Sequence, residues 1–215
     1  MRSRRRILIL TTALLPGLTC LLLLVRFIPR EPEYEGLTIR DWISSKPRSE
    51  REEALIFLGT NNLRLLLHRL EYDPRKDKVI ALYDHLPSQV KSQTWLSHLV
   101  RRKITMADDA QGVLWRLGPL ASPAIPQLTR SASTLGPQPA MRAFMVLDSI
   151  GEQARPSIIF LTAYADSYVR IQAMLSLATH TNLPPVHEAL TRALTDSDSK
   201  IRKQAEDILA GRVFE

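Results

Sequence analysis

The sequence predicts an all-α protein: an α-solenoid of about four to five stacked helical hairpins, preceded by one N-terminal transmembrane helix. Three observations predict it. Two pairs of segments match each other at offsets of thirty-three and thirty-two residues, and from Leu37 onward apolar residues recur at helical spacing nearly throughout. Near the N-terminus an uncharged apolar run stands between groups of arginines. With 215 residues, 45% hydrophobic and 24% charged, the chain has room for one packed body and lies in the globular range. Eight glycines and fourteen prolines exclude a collagen-like or low-complexity chain, and the single cysteine, Cys20, excludes a disulfide scaffold.

Residues 1–6 read as a basic cytoplasmic tail and residues 7–28 as a transmembrane signal anchor. Ile7 to Val25 is a nineteen-residue run without a charge. At ~1.5 Å per residue it reaches just under the ~30 Å hydrocarbon core. Phe27 and Ile28 extend it while Arg26 snorkels. No polar face interrupts the run, which argues against a buried core helix. A cleaved signal peptide wants a shorter apolar region closing on small residues. A lipoprotein wants its cysteine after a small residue at the end of the run, whereas Cys20 lies inside it. Arg2, Arg4, Arg5 and Arg6 precede the span, and Arg26 and Arg30 follow it into Glu31, Glu33 and Glu35. The positive-inside rule therefore puts the N-terminus in the cytoplasm and the rest in the periplasm or otherwise outside.

This placement accounts for most of the net charge of +7. The first thirty residues hold six arginines and no acid. Residues 36–106 carry 13 basic against 8 acidic residues, and residues 107–215 carry 10 against 11. The excess thus lies nearest the membrane. Two readings stand: a face resting on anionic headgroups or an acidic partner, or solvated helix faces with interleaved acids.

Residues 29–49 form a linker and leader, with Pro29 to Gly36 expected to be extended and solvated. Residues 50–215 hold the repeats. LGPLASPAIPQL at 117–128 matches IGEQARPSIIFL at 150–161, pairing Gly118 with Gly151 and Pro123 with Pro156. DSYVRIQAMLSLA at 166–178 matches DSKIRKQAEDILA at 198–210, with seven of thirteen positions identical. Ala110, Ala143, Ala173 and Ala205 fall at corresponding positions, spaced 33, 30 and 32 residues apart. An earlier copy stands in EEALIFLGTNNLRLLLHRL, where Leu58 and Gly59 close one helix and Leu63 opens the next. In each unit a first helix packs through small and branched residues, a glycine takes the left-handed conformation that ends it, and a proline occupies the first turn of the second helix. The third unit has His180, Thr181 and Asn182 in place of the turn glycine, followed by Pro184 and Pro185. Residues 73–106 read as a degenerate repeat, with amphipathic stretches at Lys76 to Leu86 and Val90 to Ile104.

These units resemble HEAT repeats, and YEGLTIRDWI at 34–43 resembles the short Tyr-x-Gly leader that precedes repeats in membrane-anchored bacterial HEAT-like proteins. The resemblance implies a solenoid whose second helices line the concave side. It also implies an enzymatic alternative, a bilin-lyase-like enzyme or accessory subunit, and a further alternative in nucleic-acid binding.

Chemistry-bearing patterns are sparse. His68, His85, His98, His180 and His187 include no pair at three or four residues' spacing, so no metal site is expected. The glycines are scattered, no nucleophile elbow occurs, and Cys20 lies in the apolar span, so neither a catalytic group nor a cofactor is expected. The predicted location and the mild charge of the body argue against nucleic acid. Asp41, Glu52, Glu53, Asp108, Asp109, Asp196 and Asp198 are read as caps near helix starts. The expected activity is non-catalytic binding of a protein or peptide. The candidate partner surface comprises Arg64, His68, Gln127, Arg130, Phe160 and Tyr164. Phe160 and Tyr164, four apart, either form part of a partner groove or cover the neighbouring repeat.

Overall fold

A computed structural model describes residues 31–92 and 94–212, and the apolar run at 7–28 lies outside the described residues. Among the described residues no helix is long and apolar enough to cross a membrane. The body is all-α apart from one short hairpin at its start.

That hairpin pairs β1 (Glu33–Tyr34) antiparallel with β2 (Leu37–Thr38), Tyr34 opposite Leu37. Glu35 (φ 51°) and Gly36 (φ 75°) both take positive φ, as a two-residue turn matched to the twist of its strands requires. Thr38 then caps α1 (Ile39–Ser45): its hydroxyl accepts from the Asp41 amide at 3.3 Å, while the Asp41 carboxylate accepts from the Thr38 amide at 3.0 Å. Trp42 donates its indole N–H to the Tyr34 carbonyl at 3.0 Å. The Tyr34 ring lies 5.9 Å from that of Trp42 and 4.8 Å from that of Phe57. The segment expected to be extended and solvated is therefore folded from Glu33 onward. The buried indole needs an acceptor, and the turn supplies one.

The leader packs on α2 (Arg48–Asn61), which is followed by α3 (Leu63–Leu70). Two short helices, α4 (Lys78–Asp84) and α5 (Ser88–Lys91), lead to α6 (Thr94–Leu117). The helix expected to end near Ile104 instead runs on to Leu117. No proline interrupts residues 94–117, and the chain turns only at Gly118, where φ is 51°. Asp108 and Asp109 consequently stand in mid-helix rather than at a start, and Glu52 and Glu53 lie inside α2. Asp198 does cap a helix, accepting from the Lys200 amide at 2.9 Å, and Asp166 caps another.

After a 3-10 stretch at Gly118–Ala124 come α7 (Ile125–Thr134), α8 (Pro137–Ile150) and α9 (Arg155–Leu161). They are followed by α10 (Ser167–Leu177), α11 (Pro184–Ala193) and α12 (Ser199–Leu209). The first helices touch in series, α2 to α6 to α8 to α10 to α12, and the second helices α7, α9 and α11 touch in turn beside them. One apolar core runs from Ile39 and Trp42 to Ile201 and Ile208. Ala110, Ala143, Ala173 and Ala205 are all at most 1% exposed, so a larger side chain at any of them would push neighbouring helices apart.

Gly118 and Gly151 (φ 78°) occupy the left-handed turns expected of them. Gly59 does not. It lies within α2, and a β-carbon there would sit 2.9 Å from both methyl groups of Leu117. Its small size lets α2 approach α6, while the helix itself ends two residues later at Asn61.

A second repeated device ties loops to helices. Arg170 donates Nη1 to the Tyr164 and Ala165 carbonyls at 2.8 Å each. Arg202, thirty-two residues on, donates Nη1 to the Asp196 and Ser197 carbonyls at 2.7 and 3.0 Å. Arg170 also reaches forward to the Asp196 carboxylate at 3.0 Å, linking successive units through a largely buried pair.

Candidate functional site

The second helices turn apolar side chains inward and polar or aromatic ones outward. Leu66, Leu67 and Leu70 of α3 are buried, while Arg64 and His68 are exposed. Leu128 and Ala132 of α7 are buried, and Arg130 is exposed. On α9, Ile158 and Leu161 are buried and Phe160 is 63% exposed. Four of the expected surface residues, Arg64, His68, Arg130 and Phe160, thus stand on the outward faces of second helices.

Gln127 and Tyr164 do not join them. The Gln127 side-chain amide donates to Glu71 Oε1 at 2.9 Å, and the Ser131 hydroxyl donates to the same oxygen at 2.9 Å. Gln127 therefore fastens α7 to the end of α3. Tyr164 packs half-buried against the core. Helix α9 stops at Leu161, so the four-residue spacing from Phe160 to Tyr164 does not continue along one helix face. Of the two readings kept open for this pair, Tyr164 belongs to the covering of the core, and Phe160 alone faces outward.

An open cleft of about 520 Å³ lies at the exit of α3, lined by Glu71, Tyr72, Asp73, Asp77, Lys103 and Leu135 among others. Three consecutive residues there hold different elements. Glu71 receives α7 as described. The Tyr72 hydroxyl donates to the Asp77 carboxylate at 2.7 Å, and Lys103 Nζ donates to the same oxygen at 2.9 Å. Asp73 accepts from the Arg75 amide at 3.0 Å and from its guanidinium at 3.2 Å. Lys103 and then Tyr72, by hydrogen-bonding the ionised form, hold the Asp77 carboxyl down to about 2. Burial, and then the bond to Asp77, push the Tyr72 hydroxyl well above its ordinary value. The protonated phenol and the ionised carboxylate thus form one hydrogen-bonded pair at the exit of α3.

A smaller cavity of about 330 Å³ lies between the leader and α6, lined by Arg40, Arg69, Arg102, Met106, Asp109 and Glu31 among others. Arg102 pairs with Glu31 at 3.7 Å, and Arg40 stands 4.0 Å from Asp109. Burial raises the Asp109 carboxyl above its usual range against the pull of Arg40.

Sequence reasoning missed the cleft because Glu71 and Asp77 find Gln127 and Lys103 across the fold, fifty-six and twenty-six residues away, and the local bonds of Tyr72 and Asp73 follow no repeated spacing. It also missed Phe57, Trp115, Met141 and Met145, large apolar side chains 44–53% exposed on the first helices. Among the described residues no group of three or more histidine, cysteine or carboxylate side chains is placed to hold a metal ion. No family model matches the chain, and no relative is found among curated proteins.

Proposed function

We propose that this protein is a membrane-anchored scaffold whose HEAT-like α-solenoid binds a protein or peptide partner, without catalysis. Residues 7–28 are the anchor, and the repeat body lies on the extracytoplasmic side. The in-series contacts of first and second helices and the buried alanine at each register position support the solenoid reading.

The observation that carries the binding reading is Phe160, an aromatic ring 63% exposed on a helix whose other face is core. Exposed aromatic and arginine side chains are the residue types that anchor protein interfaces. Arg64, His68 and Arg130 present hydrogen-bond donors on companion helices. The test is a photo-crosslinking residue at position 160 of the full chain in native membranes, with a second at the outward position 200 of α12. A discrete adduct from position 160, absent from position 200 and lost when Arg130 is changed to Glu, is the expected outcome. The same adducts from both positions, or none from 160, would sink the reading.

A further inference from the structure

Helices α4 and α5 differ from every other α-helix described: neither buries a residue, whereas each of the others buries at least two. Val79 and Leu82, three apart on α4, are 51% and 66% exposed, and Val90 on α5 is 41% exposed. The two helices are tied together: the Tyr83 hydroxyl donates to the Lys91 carbonyl at 3.1 Å, and Lys91 Nζ donates to the Asp84 carbonyl at 2.7 Å. Both touch α6. Lys76, Lys78 and Arg101 are exposed and make no ion pair among the described residues. The neighbouring acids Asp73 and Asp77 are already engaged by Arg75 and Lys103. Asp84 is the only acidic residue within α4 and α5.

We infer that the α4–α5 pair rests on an anionic lipid surface, its apolar side chains in the headgroup boundary and its lysines on lipid phosphates. The inference rests on the anchor reading above. Only two residues, Pro29 and Arg30, separate Ile28, the end of the apolar run, from Glu31, a span of at most about 11 Å. Glu31 is paired with Arg102, and the next residue, Lys103, holds Asp77 at the N-terminus of α4. The pair is therefore fastened to the end of the body that the chain enters from the anchor. Exposed apolar residues beside unpaired lysines are the composition of an interfacial helix, in which burial and attraction to anionic lipid add.

The test uses the full chain carrying Cys20→Ser and Leu82→Cys, labelled with a fluorophore and reconstituted in vesicles of phosphatidylglycerol or of phosphatidylcholine. Quenching by acrylamide at position 82 should fall about threefold or more in phosphatidylglycerol relative to phosphatidylcholine, as expected for an apolar face drawn in by charge. A label introduced by Phe160→Cys should be quenched equally in both. Each of Lys76→Gln and Lys78→Gln should weaken the surface contact by about fivefold. Full quenching at position 82 in phosphatidylglycerol would overturn the inference. So would equal protection in both lipids, or protection found only in native membranes, which would assign the face to a protein. Alkaline carbonate extraction of the full chain separates the two readings. Release from the membrane defeats the anchor, whereas retention with a freely quenched position 82 defeats this inference alone.

Discussion

The buried guanidinium of Arg142 donates to the Tyr72 carbonyl at 2.8 Å and pairs with the Asp108 carboxylate at 3.0 Å. One side chain of α8 thereby closes the exit of α3 and binds the middle of α6. Arg142→Met should lower stability by about 2 to 3 kcal/mol, because it strands a carbonyl and removes a buried charge-assisted contact. Arg142→Lys should recover little, since an ammonium lacks the fork that reaches both partners. Urea denaturation of the body within the full chain reads both values.

Gly59 and Leu117 should be energetically coupled. Gly59→Ala drives a methyl against both Leu117 methyl groups and should cost about 1 to 3 kcal/mol. Leu117→Ala alone should cost about 2 to 4 kcal/mol by opening a cavity. The double substitution should cost clearly less than the sum, because the new methyl occupies part of that cavity. Strict additivity would mean that α2 and α6 do not meet at these two residues.

Asp77 and Asp109, two of the carboxylates with shifted pKa values, act in opposite directions with pH. Asp77 is held down to about 2 from an ordinary 3.8, so its stabilising contribution is present above about pH 4 and is lost as pH falls toward 2. Asp109 is raised by burial, so the ionised group opposes folding once pH rises past its ordinary range. Asp77→Asn should therefore be less stable than the parent at pH 7, with the difference shrinking between pH 4 and 2. Asp109→Asn should be at least as stable as the parent at pH 7. Thermal melts across pH 2 to 7 decide both.

Phe160 and Ile158 are two residues apart and should behave oppositely. Ile158→Ala should cost about 2 to 4 kcal/mol, since its side chain is 4% exposed. Phe160→Ala should change stability by no more than about 0.5 kcal/mol, while abolishing the crosslinked adduct from a neighbouring position such as 156. A large loss of stability from Phe160→Ala would make the ring part of the packing rather than a contact surface.

Helix type, the register of the buried alanines and the glycine turns at 118 and 151 were legible in the sequence. Each is specified by residues within a turn or two, or by a repeated spacing. The outward placement of Arg130 and Phe160 followed from the same periodicity, whereas Arg64 and His68 stood out by their charge and polarity on one predicted helix. Gln127 and Tyr164 shared that periodicity yet lie elsewhere. Glu71, fifty-six residues from Gln127 in the chain, takes its amide, and the end of α9 at Leu161 turns Tyr164 back onto the core.

By itself, then, the sequence determined an all-α body, since a helix and its buried stripe are local properties of neighbouring residues. It also determined where charge and apolar length concentrate. Only the tertiary structure decided that Gly59 serves close approach rather than a turn, that Asp108 takes the Arg142 guanidinium rather than capping a helix, and that the α4–α5 pair buries nothing. These outcomes depend on what lies across the fold: Leu117 against Gly59, Arg142 against Asp108, and no covering helix over Val79 and Leu82 among the described residues.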